Sequence, residues 1–201
     1  MKIKTFKVDK EKFFFKDNNF SFIEGINCLI GSNGSGKSLL MKELRRKAKE
    51  DNIPYYYYDS FYEMRVIKDH VYLTNPNFLV NLKQCSEGQQ RILLLKEALE
   101  TCGKFINECI KNKKTEAWLL FDSIDTSLTI DNISEMKEVF REMIEDCRDN
   151  HITLFVVLAG NSFELANNER CIILKDKDWS IKQINDYLVY RKLFISSSKN
   201  L

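Results

Sequence analysis

Short apolar runs alternate with amphipathic stretches along most of the 201-residue chain. Each apolar run is bounded by polar residues, glycine or proline and is too short for a helix, which predicts a buried strand. The predicted buried strands cover residues 25–30, 54–59, 117–122, 152–158 and 170–174. Because helical stretches lie between these strands, the pattern favours an α/β domain whose sheet is mostly parallel and flanked by helices.

Three of the intervening stretches carry apolar residues at helical spacing, which predicts one buried face on each helix. On the first helix the predicted buried face consists of Leu39, Leu40, Leu44 and Ala48. On the second helix it consists of Ile92, Leu95, Leu99, Cys102, Ile106 and Cys109. On the third helix, over 131–150, it consists of Ile133, Met136, Phe140, Met143 and Cys147.

The N-terminal region and one internal segment have weaker patterns. Residues 2–8 and 20–23 predict strands on either side of the polar turn 16–19, which we expect to pair antiparallel. Residues 60–84 have mixed character and contain the breaker Asn75-Pro76-Asn77. We expect only a short, loosely helical lid there.

The C-terminal tail, residues 176–201, is compatible with a strand at 179–184 followed by a helix at 187–195. No internal repeat or low-complexity linker divides the chain. At 201 residues the chain is long enough for one well-buried domain and too short for two. We therefore expect a single domain over 1–201.

Composition limits the class of protein. Hydrophobic residues make up 44% and charged residues 30%, as in an ordinary soluble globular protein, and the net charge of +2 argues neither for nor against nucleic acid. The charged N-terminus is unlike a signal peptide, and the longest apolar run, 153–159, is far shorter than a membrane span. Six cysteines without a C-x-x-C pair favour buried thiols in a reducing compartment. We expect a cytoplasmic protein with no membrane partner.

Residues 31–38 match the P-loop pattern G-x-x-x-x-G-K-[ST] at every fixed position and lie between a predicted strand and a predicted helix. Glycines let successive backbone N–H groups face one phosphate chain, and the helix N-terminus adds its dipole. Lys37 would reach the β- and γ-phosphates, and Ser38 would bind Mg²⁺. The predicted nucleotide-binding residues are Gly31, Ser32, Asn33, Gly34, Ser35, Gly36, Lys37, Ser38 and Leu39.

Other motifs distinguish this P-loop from those of kinases, GTPases and helicases. Residues 86–90, Ser-Glu-Gly-Gln-Gln, precede a long helix and resemble the S-G-G-Q signature of ABC-type ATPases, with Glu87 in place of the first glycine. Residues 119–122 resemble the Walker B strand of that superfamily, and 126–129 its D-loop. Residues 157–162 lie where its switch histidine would be. The chain is thus similar to ABC-type ATPases over residues 20–175, with the same order and spacing of motifs.

This resemblance implies a homodimer of ATPase heads in head-to-tail arrangement, with each ATP held between one P-loop and the partner's signature. Ser86, Gly88 and Gln89 would face the partner's γ-phosphate, and a capping box formed by Ser86 and Gln89 would aim the hydroxyl. Asp122, together with Ser38, would hold Mg²⁺.

A ring of the Phe13-Phe14-Phe15 run would stack on adenine or, as we favour, pack in the core.

Three departures from the superfamily pattern concern hydrolysis. Ser123 replaces the glutamate that polarises the attacking water, and Asp125 is the nearest carboxylate that would substitute for it. Asn161 occupies the switch-histidine position and cannot titrate. No glutamine occurs between Leu39 and Lys83, so the Mg²⁺-sensing glutamine is missing or replaced, by Asp59 or Ser60. Lys37, Asp122, Ser123, Asp125 and Asn161 are therefore the predicted catalytic set, with fast turnover not supported.

About fifty residues separate Lys37 from Ser86, which leaves no room for a transporter's helical subdomain or a long coiled coil. The chain resembles the small stand-alone soluble ABC-type ATPases of bacteria and phages. Two hypotheses remain: an ATPase that drives a nucleic-acid-linked effector protein in repair or defence, and a slow or inactive ATP sensor that assembles a partner complex. A transporter subunit is a distant third.

Overall fold

The computed structural model describes residues 2–8, 15–63, 85–126, 128–175 and 178–195. Strands and helices alternate along these residues. The strands are β1 (Ile3–Lys7), β2 (Asn19–Ile23), β3 (Gly25–Gly31), β4 (Tyr55–Asp59), β5 (Glu116–Asp122), β6 (Thr153–Gly160), β7 (Glu169–Lys175) and β8 (Asp178–Ile184). The helices are α1 (Lys37–Glu50), α2 (Glu87–Lys111), α3 (Ile130–Asp149), α4 (Phe163–Ala166) and α5 (Tyr187–Ile195).

Six strands form the central sheet in the order β4-β5-β6-β3-β7-β8. The first five are parallel, and β8 pairs antiparallel with β7. β1 and β2 form a separate antiparallel pair, with Phe6 opposite Phe20. The predicted α/β fold with a mostly parallel sheet, flanking helices and an N-terminal antiparallel pair is confirmed.

Successive residues of the central strands enter two different hydrophobic cores. On β5, Trp118 and Leu120 pack with α1, β1 and β2, whereas Leu119 and Phe121 pack with α2 and α3. All eight residues of β6 are buried because the sheet is covered on both faces. Because five of the six strands are parallel, their carboxyl ends lie at the same edge of the sheet, where the loops that follow them meet.

The buried face of α1 differs from the prediction at one position. Leu40, Leu44 and Ala48 are buried as predicted, but the Leu39 side chain is 46% exposed and Met41 is buried instead. The helix begins at Lys37, so its first turn stands at the edge of the sheet, and only residues on the side facing β5 are covered. The predicted burial of Leu39 was wrong, because the spacing of apolar residues locates the buried face of a helix only to within one residue.

The second and third helices each bury a cation that the apolar pattern did not predict. On α2, Arg91 and Leu94 are buried, whereas Ile92 and Leu99 are only partly covered. On α3, Lys137 is buried because its Nζ reaches the carbonyl oxygen of Asn167 at 2.8 Å and a Glu169 carboxylate oxygen at 3.1 Å. These cations extend the buried faces to residues that hydropathy alone assigns to solvent.

The tail forms a strand and then a helix, β8 and α5, as the sequence pattern allowed. Residues 60–63 are helical, while the rest of the expected lid, 64–84, lies outside the described residues, as do Phe13, Phe14 and Ser127. All six cysteines are free thiols, and five of them are buried. Across the described residues, no helix is both long and apolar enough to cross a membrane.

Candidate functional site

The loop between β3 and α1 carries the glycine-rich motif. Gly34 and Gly36 have φ angles of 80° and 98°, in the left-handed region that favours glycine. Gly31 is required for a different reason, because a Cβ atom on it would lie 2.3 Å from Ser35 Oγ. The three glycines thus allow a tight loop directly before the first turn of α1.

The Lys37 side chain folds back onto this loop. Its Nζ donates to the carbonyl oxygens of Gly31 at 2.7 Å and Ser32 at 3.1 Å. Partial burial lowers the pKa of Lys37, although the charges of Asp125 and Asp122 act in the opposite direction. The ammonium group is therefore held against the loop and within electrostatic range of two carboxylates.

The loop and the first turn of α1 offer hydrogen-bond donors suited to an anion. Gly36 is the N-cap of α1, and no side chain caps the helix. The hydroxyl group of Ser35 is buried and has no hydrogen-bond partner. An uncapped helix N-terminus carries partial positive charge and free N–H groups. These groups fit the phosphates that the motif predicts.

Asp122 ends β5 directly opposite the first turn of α1. Its side chain is 2% exposed, and one carboxylate oxygen accepts from Ser38 Oγ at 3.2 Å and from Ser123 Oγ at 3.4 Å. Burial raises the pKa of Asp122, and the neighbouring charge of Asp59 raises it further. A buried carboxylate beside a hydroxyl supplies the oxygen ligands that Mg²⁺ prefers, so these residues fit the predicted metal.

Two β4 side chains lie beside this carboxylate. Asp59 pairs in register with Asp122 across the β4–β5 ladder, and its carboxylate accepts from the backbone N–H groups of Phe61 and Tyr62. The Tyr57 hydroxyl is buried without a hydrogen-bond partner, and its pKa is raised by burial first and by Asp122 second. Of the two proposed substitutes for the Mg²⁺-sensing glutamine, Asp59 is the one that influences Asp122.

Ser123 and Asp125 lie in the turn after β5. Ser123 adopts φ 56°, uncommon for a residue other than glycine. One carboxylate oxygen of Asp125 accepts from the backbone N–H groups of Asn161 at 2.6 Å and Ser162 at 2.5 Å. Gly160 permits this approach, because a Cβ atom there would lie 2.6 Å from the Asp125 carboxyl carbon. Asp125 therefore orients the loop after β6.

That loop brings Asn161 to the glycine-rich motif. The Asn161 side-chain amide donates to the side-chain oxygen of Asn33 at 2.8 Å, and its backbone carbonyl accepts from the Tyr190 hydroxyl on α5. Asn33, Asn161 and Asp125 thus form one hydrogen-bonded group beside the loop. Ser38, Asp122 and Ser123 form a second hydrogen-bonded group, and Lys37 lies within electrostatic range of Asp122.

The signature residues lie at the start of α2. Ser86 caps α2, because its hydroxyl accepts from the Gln89 N–H at 3.4 Å and its own N–H donates to the Gln89 side chain at 2.9 Å. The predicted capping box is confirmed. In the part of the chain that the structure describes, no hydrogen bond joins Ser86, Gly88 or Gln89 to the glycine-rich loop.

Arg91, which the sequence interpretation missed, connects the signature to β4. Its guanidinium group donates to Ser60 Oγ at 3.0 Å and to a Glu87 carboxylate oxygen at 3.1 Å. Arg91 is 7% exposed, and it lies over the Phe61 ring at 5.6 Å. The available signal was a cation one turn into a helix, four residues after the unusual Glu87.

Phe15, the described member of the phenylalanine run, lies between the core and the loop. Its ring packs edge-on against Phe20 with centroids 5.5 Å apart. A Cβ atom on Gly36 would lie 3.4 Å from the same ring. Core packing, the interpretation that the sequence favoured, is therefore observed, in a position next to the loop.

Comparison with solved structures identifies the fold. The SMC head domain from Thermotoga maritima matches with a TM-score of 0.50 and 14% identity, over 92% of this chain and 99% of that one. A dimeric ATP-binding cassette, solved in a post-hydrolysis state bound to ADP and Pi, matches with a TM-score of 0.45 and 15% identity, over 92% and 97% of the two chains.

Neither the protein-family models nor the curated proteins contain a match to this sequence. At 14% identity the likeness to the SMC head concerns the fold alone. The resemblance to ABC-type ATPases that the motifs predicted is therefore confirmed at the level of the fold. The chain shares the fold of the SMC head domain.

Proposed function

We propose that this chain is an Mg²⁺-dependent, ATP-binding head of the ABC type with slow hydrolytic turnover. The observation that carries this proposal is the group of Lys37, Ser38 and Asp122 at one edge of the sheet. A loop cation, a helix-start hydroxyl and a buried carboxylate meet there with 3.2 Å between Ser38 Oγ and Asp122. This is the chemistry that Mg²⁺-bound phosphates require.

Residues 31–38 would hold the triphosphate through their backbone N–H groups, Lys37 and the Ser35 hydroxyl. Ser38 and Asp122 would hold Mg²⁺, with Asp59 as an additional carboxylate. Bound Mg²⁺ supplies positive charge that neutralises the phosphate oxygens. Occupancy would also relieve an electrostatic cost, because Asp122 is buried and its pKa is raised by that burial.

Slow turnover is favoured because no carboxylate is available where the superfamily has its glutamate. Ser123 has a hydroxyl whose pKa is too high to accept a proton at neutral pH. Asp125 is engaged by two backbone N–H groups at 2.6 Å and 2.5 Å. The sensor hypothesis, in which ATP assembles a partner complex, therefore gains support relative to a fast motor.

The signature supports a dimer as the working form. Ser86, Gly88 and Gln89 stand at a capped helix N-terminus, and no hydrogen bond among the described residues joins them to the glycine-rich loop of the same chain. In a head-to-tail homodimer each signature would complete the other chain's site, with ATP between them. A separate effector protein and nucleic acid remain hypothetical partners, and steady-state turnover with and without DNA would distinguish motor from sensor.

Replacing Lys37 tests the nucleotide site. Lys37→Ala removes a charge-assisted contact that contributes about 1.5–3 kcal/mol, so ATP affinity should fall by about ten- to a hundredfold. Isothermal titration calorimetry with Mg-ATP measures this directly. Lys42→Ala, on the exposed side of the same helix, is the matched control and should retain the affinity of the unmodified chain. Unchanged affinity in Lys37→Ala would mean that the loop does not bind the phosphates.

A further inference from the structure

Helix α5 closes one side of the glycine-rich loop. Tyr190, 7% exposed, anchors the helix: its hydroxyl donates to the Asn161 carbonyl oxygen, and its ring packs against Phe163 and Phe194 with centroids 5.7 Å and 4.9 Å away. This anchoring leaves other α5 side chains beside the loop. Nothing in the proposed ATPase chemistry uses them.

Between α5 and the loop lies a cavity of about 400 Å³. The floor comes from the start of the loop and the residue after β6, and the wall from four side chains of α5. The lining residues are Gly31, Ser32, Asn33, Asn161, Tyr187, Tyr190, Arg191 and Phe194. Gly31, Ser32 and Asn33 also belong to the loop proposed to hold the triphosphate, whereas residues 34–38, which include Lys37 and Ser38, do not line the cavity.

The wall combines aromatic faces with one cation. Tyr187 is 56% exposed and packs edge-on against Phe163 with centroids 5.5 Å apart, so the ring is oriented but still open to solvent. Arg191 is exposed and has no ion-pair partner among the described residues. Flat rings with a neighbouring guanidinium group form the usual surface for stacking a base and neutralising its phosphate.

The floor supplies directional hydrogen-bonding groups. The Asn161 amide donates to the Asn33 side-chain oxygen at 2.8 Å, which orients both side chains. With the amides in this orientation, the Asn33 amide nitrogen is available to a ligand as a donor and the Asn161 side-chain oxygen as an acceptor. A donor next to an acceptor matches the hydrogen-bonding edge of a nucleobase.

We propose that this cavity is a second site, which adjoins the proposed triphosphate site, shares Gly31, Ser32 and Asn33 with it, and binds a nucleobase carrying a single phosphate. The base would stack on Tyr187 and Phe194 with its edge toward Asn33 and Asn161, and its phosphate would pair with Arg191. The ligand is a free nucleoside monophosphate or one nucleotide of a single strand, since both present the same chemistry. The volume of about 400 Å³ suits one nucleotide.

The test measures binding when the triphosphate site is disabled, so that it does not depend on the proposed ATPase function. In the Lys37→Ala background, fluorescence anisotropy would follow a fluorescent ethenoadenosine monophosphate and, separately, a labelled 12-nucleotide single-stranded DNA. Arg191→Gln and Tyr187→Ala should each weaken binding of the accepted probe by about tenfold. Both side chains are exposed, and equal melting temperatures would verify folding.

Matched controls lie on the same helix. Lys192→Gln removes an exposed cation, and Leu188→Ala removes an apolar side chain that is 61% exposed; neither residue lines the cavity, so both variants should bind within about twofold of the background. Binding of the monophosphate alone identifies a free nucleotide as the ligand, and binding of the DNA alone identifies a single strand. Absence of binding for both probes, or an equal loss in Lys192→Gln and Arg191→Gln, would overturn the proposal.

Discussion

Single residues in the turn after β5 decide how the site would treat a bound nucleotide. Asp125 lies in this turn and contacts the loop after β6, because one of its carboxylate oxygens accepts from the backbone N–H groups of Asn161 and Ser162. These two hydrogen bonds hold the carboxylate against the loop after β6, which favours a positioning role for Asp125. A positioning role for Asp125 also explains why Gly160 must lack a side chain.

Ser123→Glu should therefore raise the rate of ATP hydrolysis at least tenfold. Assistance by a general base contributes about 10²–10⁴ in rate, and the added carboxylate would stand next to Asp122, as in the superfamily pattern. Steady-state phosphate release at saturating Mg-ATP measures the effect. Ser123→Gln, of the same size but unable to act as a base, is the control. An equal rate in both variants would place the base elsewhere.

Two substitutions separate positioning from base catalysis at Asp125. Asp125→Asn keeps an oxygen that can accept both N–H groups, whereas Asp125→Ala removes it. If Asp125 only orients the loop after β6, the asparagine variant should retain most of the hydrolysis rate and the alanine variant should lose both rate and ATP affinity. Phosphate release and calorimetry measure these quantities. Complete loss of rate in Asp125→Asn with unchanged ATP affinity would instead identify Asp125 as the base.

At the scale of elements, α2 and β4 are joined by a buried cation. Arg91 connects Ser60, one residue after β4, to Glu87 in the signature. Asp59 ends the same strand beside Asp122. A change at the proposed Mg²⁺ site thus has a short covalent and hydrogen-bonded route to the signature helix.

Arg91→Met should weaken ATP-dependent dimerisation about tenfold while monomeric ATP affinity stays unchanged. The substitution preserves the buried stem but removes the hydrogen bonds that the guanidinium group donates to Ser60 and Glu87. A hydrogen bond from a charged group contributes about 1.5–3 kcal/mol, so we expect the signature to be held less firmly. Analytical ultracentrifugation with Mg-ATP measures the dimer dissociation constant, and calorimetry measures ATP affinity. Lys96→Met, at an exposed position of α2, is the control. Equal dimerisation in both variants would contradict this route.

At the scale of the whole molecule, the signature makes no hydrogen bond to the glycine-rich loop of its own chain among the residues that the structure describes. Mg-ATP should therefore shift the protein from monomer toward dimer, and Ser86→Arg should prevent the shift by placing a bulky cation where the γ-phosphate packs. The monomer should still bind ATP, because Ser86 does not contact its own glycine-rich loop. Multi-angle light scattering with and without Mg-ATP determines the mass.

Ser86→Ala serves as the matched comparison for this dimer prediction. It removes the cap, which costs about 1 kcal/mol of helix stability, without adding bulk or charge, and should leave part of the shift intact. A mass that does not change when Mg-ATP is added to the unmodified chain would exclude the sandwich arrangement. A full shift in Ser86→Arg would show that the dimer forms through another surface.

The sequence by itself determined the parts that depend on local rules. The glycine-rich loop, the strands and the capping box at Ser86 follow from short-range geometry and hydropathy, and all three are found where the pattern predicts them. The predicted burial of the strand at 54–59 was wrong, because β4 lies at the edge of the sheet and only Tyr58 of this strand is buried. Leu39 shows the limit of those rules, because which side of a helix is covered depends on its partners. Hydropathy spacing alone could not distinguish Leu39 from Met41.

Only the tertiary structure decided which distant residues meet. Asp59 stands beside Asp122 because β4 and β5 are parallel neighbours in register, and Asp125 holds Asn161 because β5 and β6 are adjacent. Arg91, Lys137 and Tyr190 are polar, so the pattern assigned no buried role to them. Each is buried because the fold brings a hydrogen-bond partner from another element to it, and the chain's order carries no signal for that encounter.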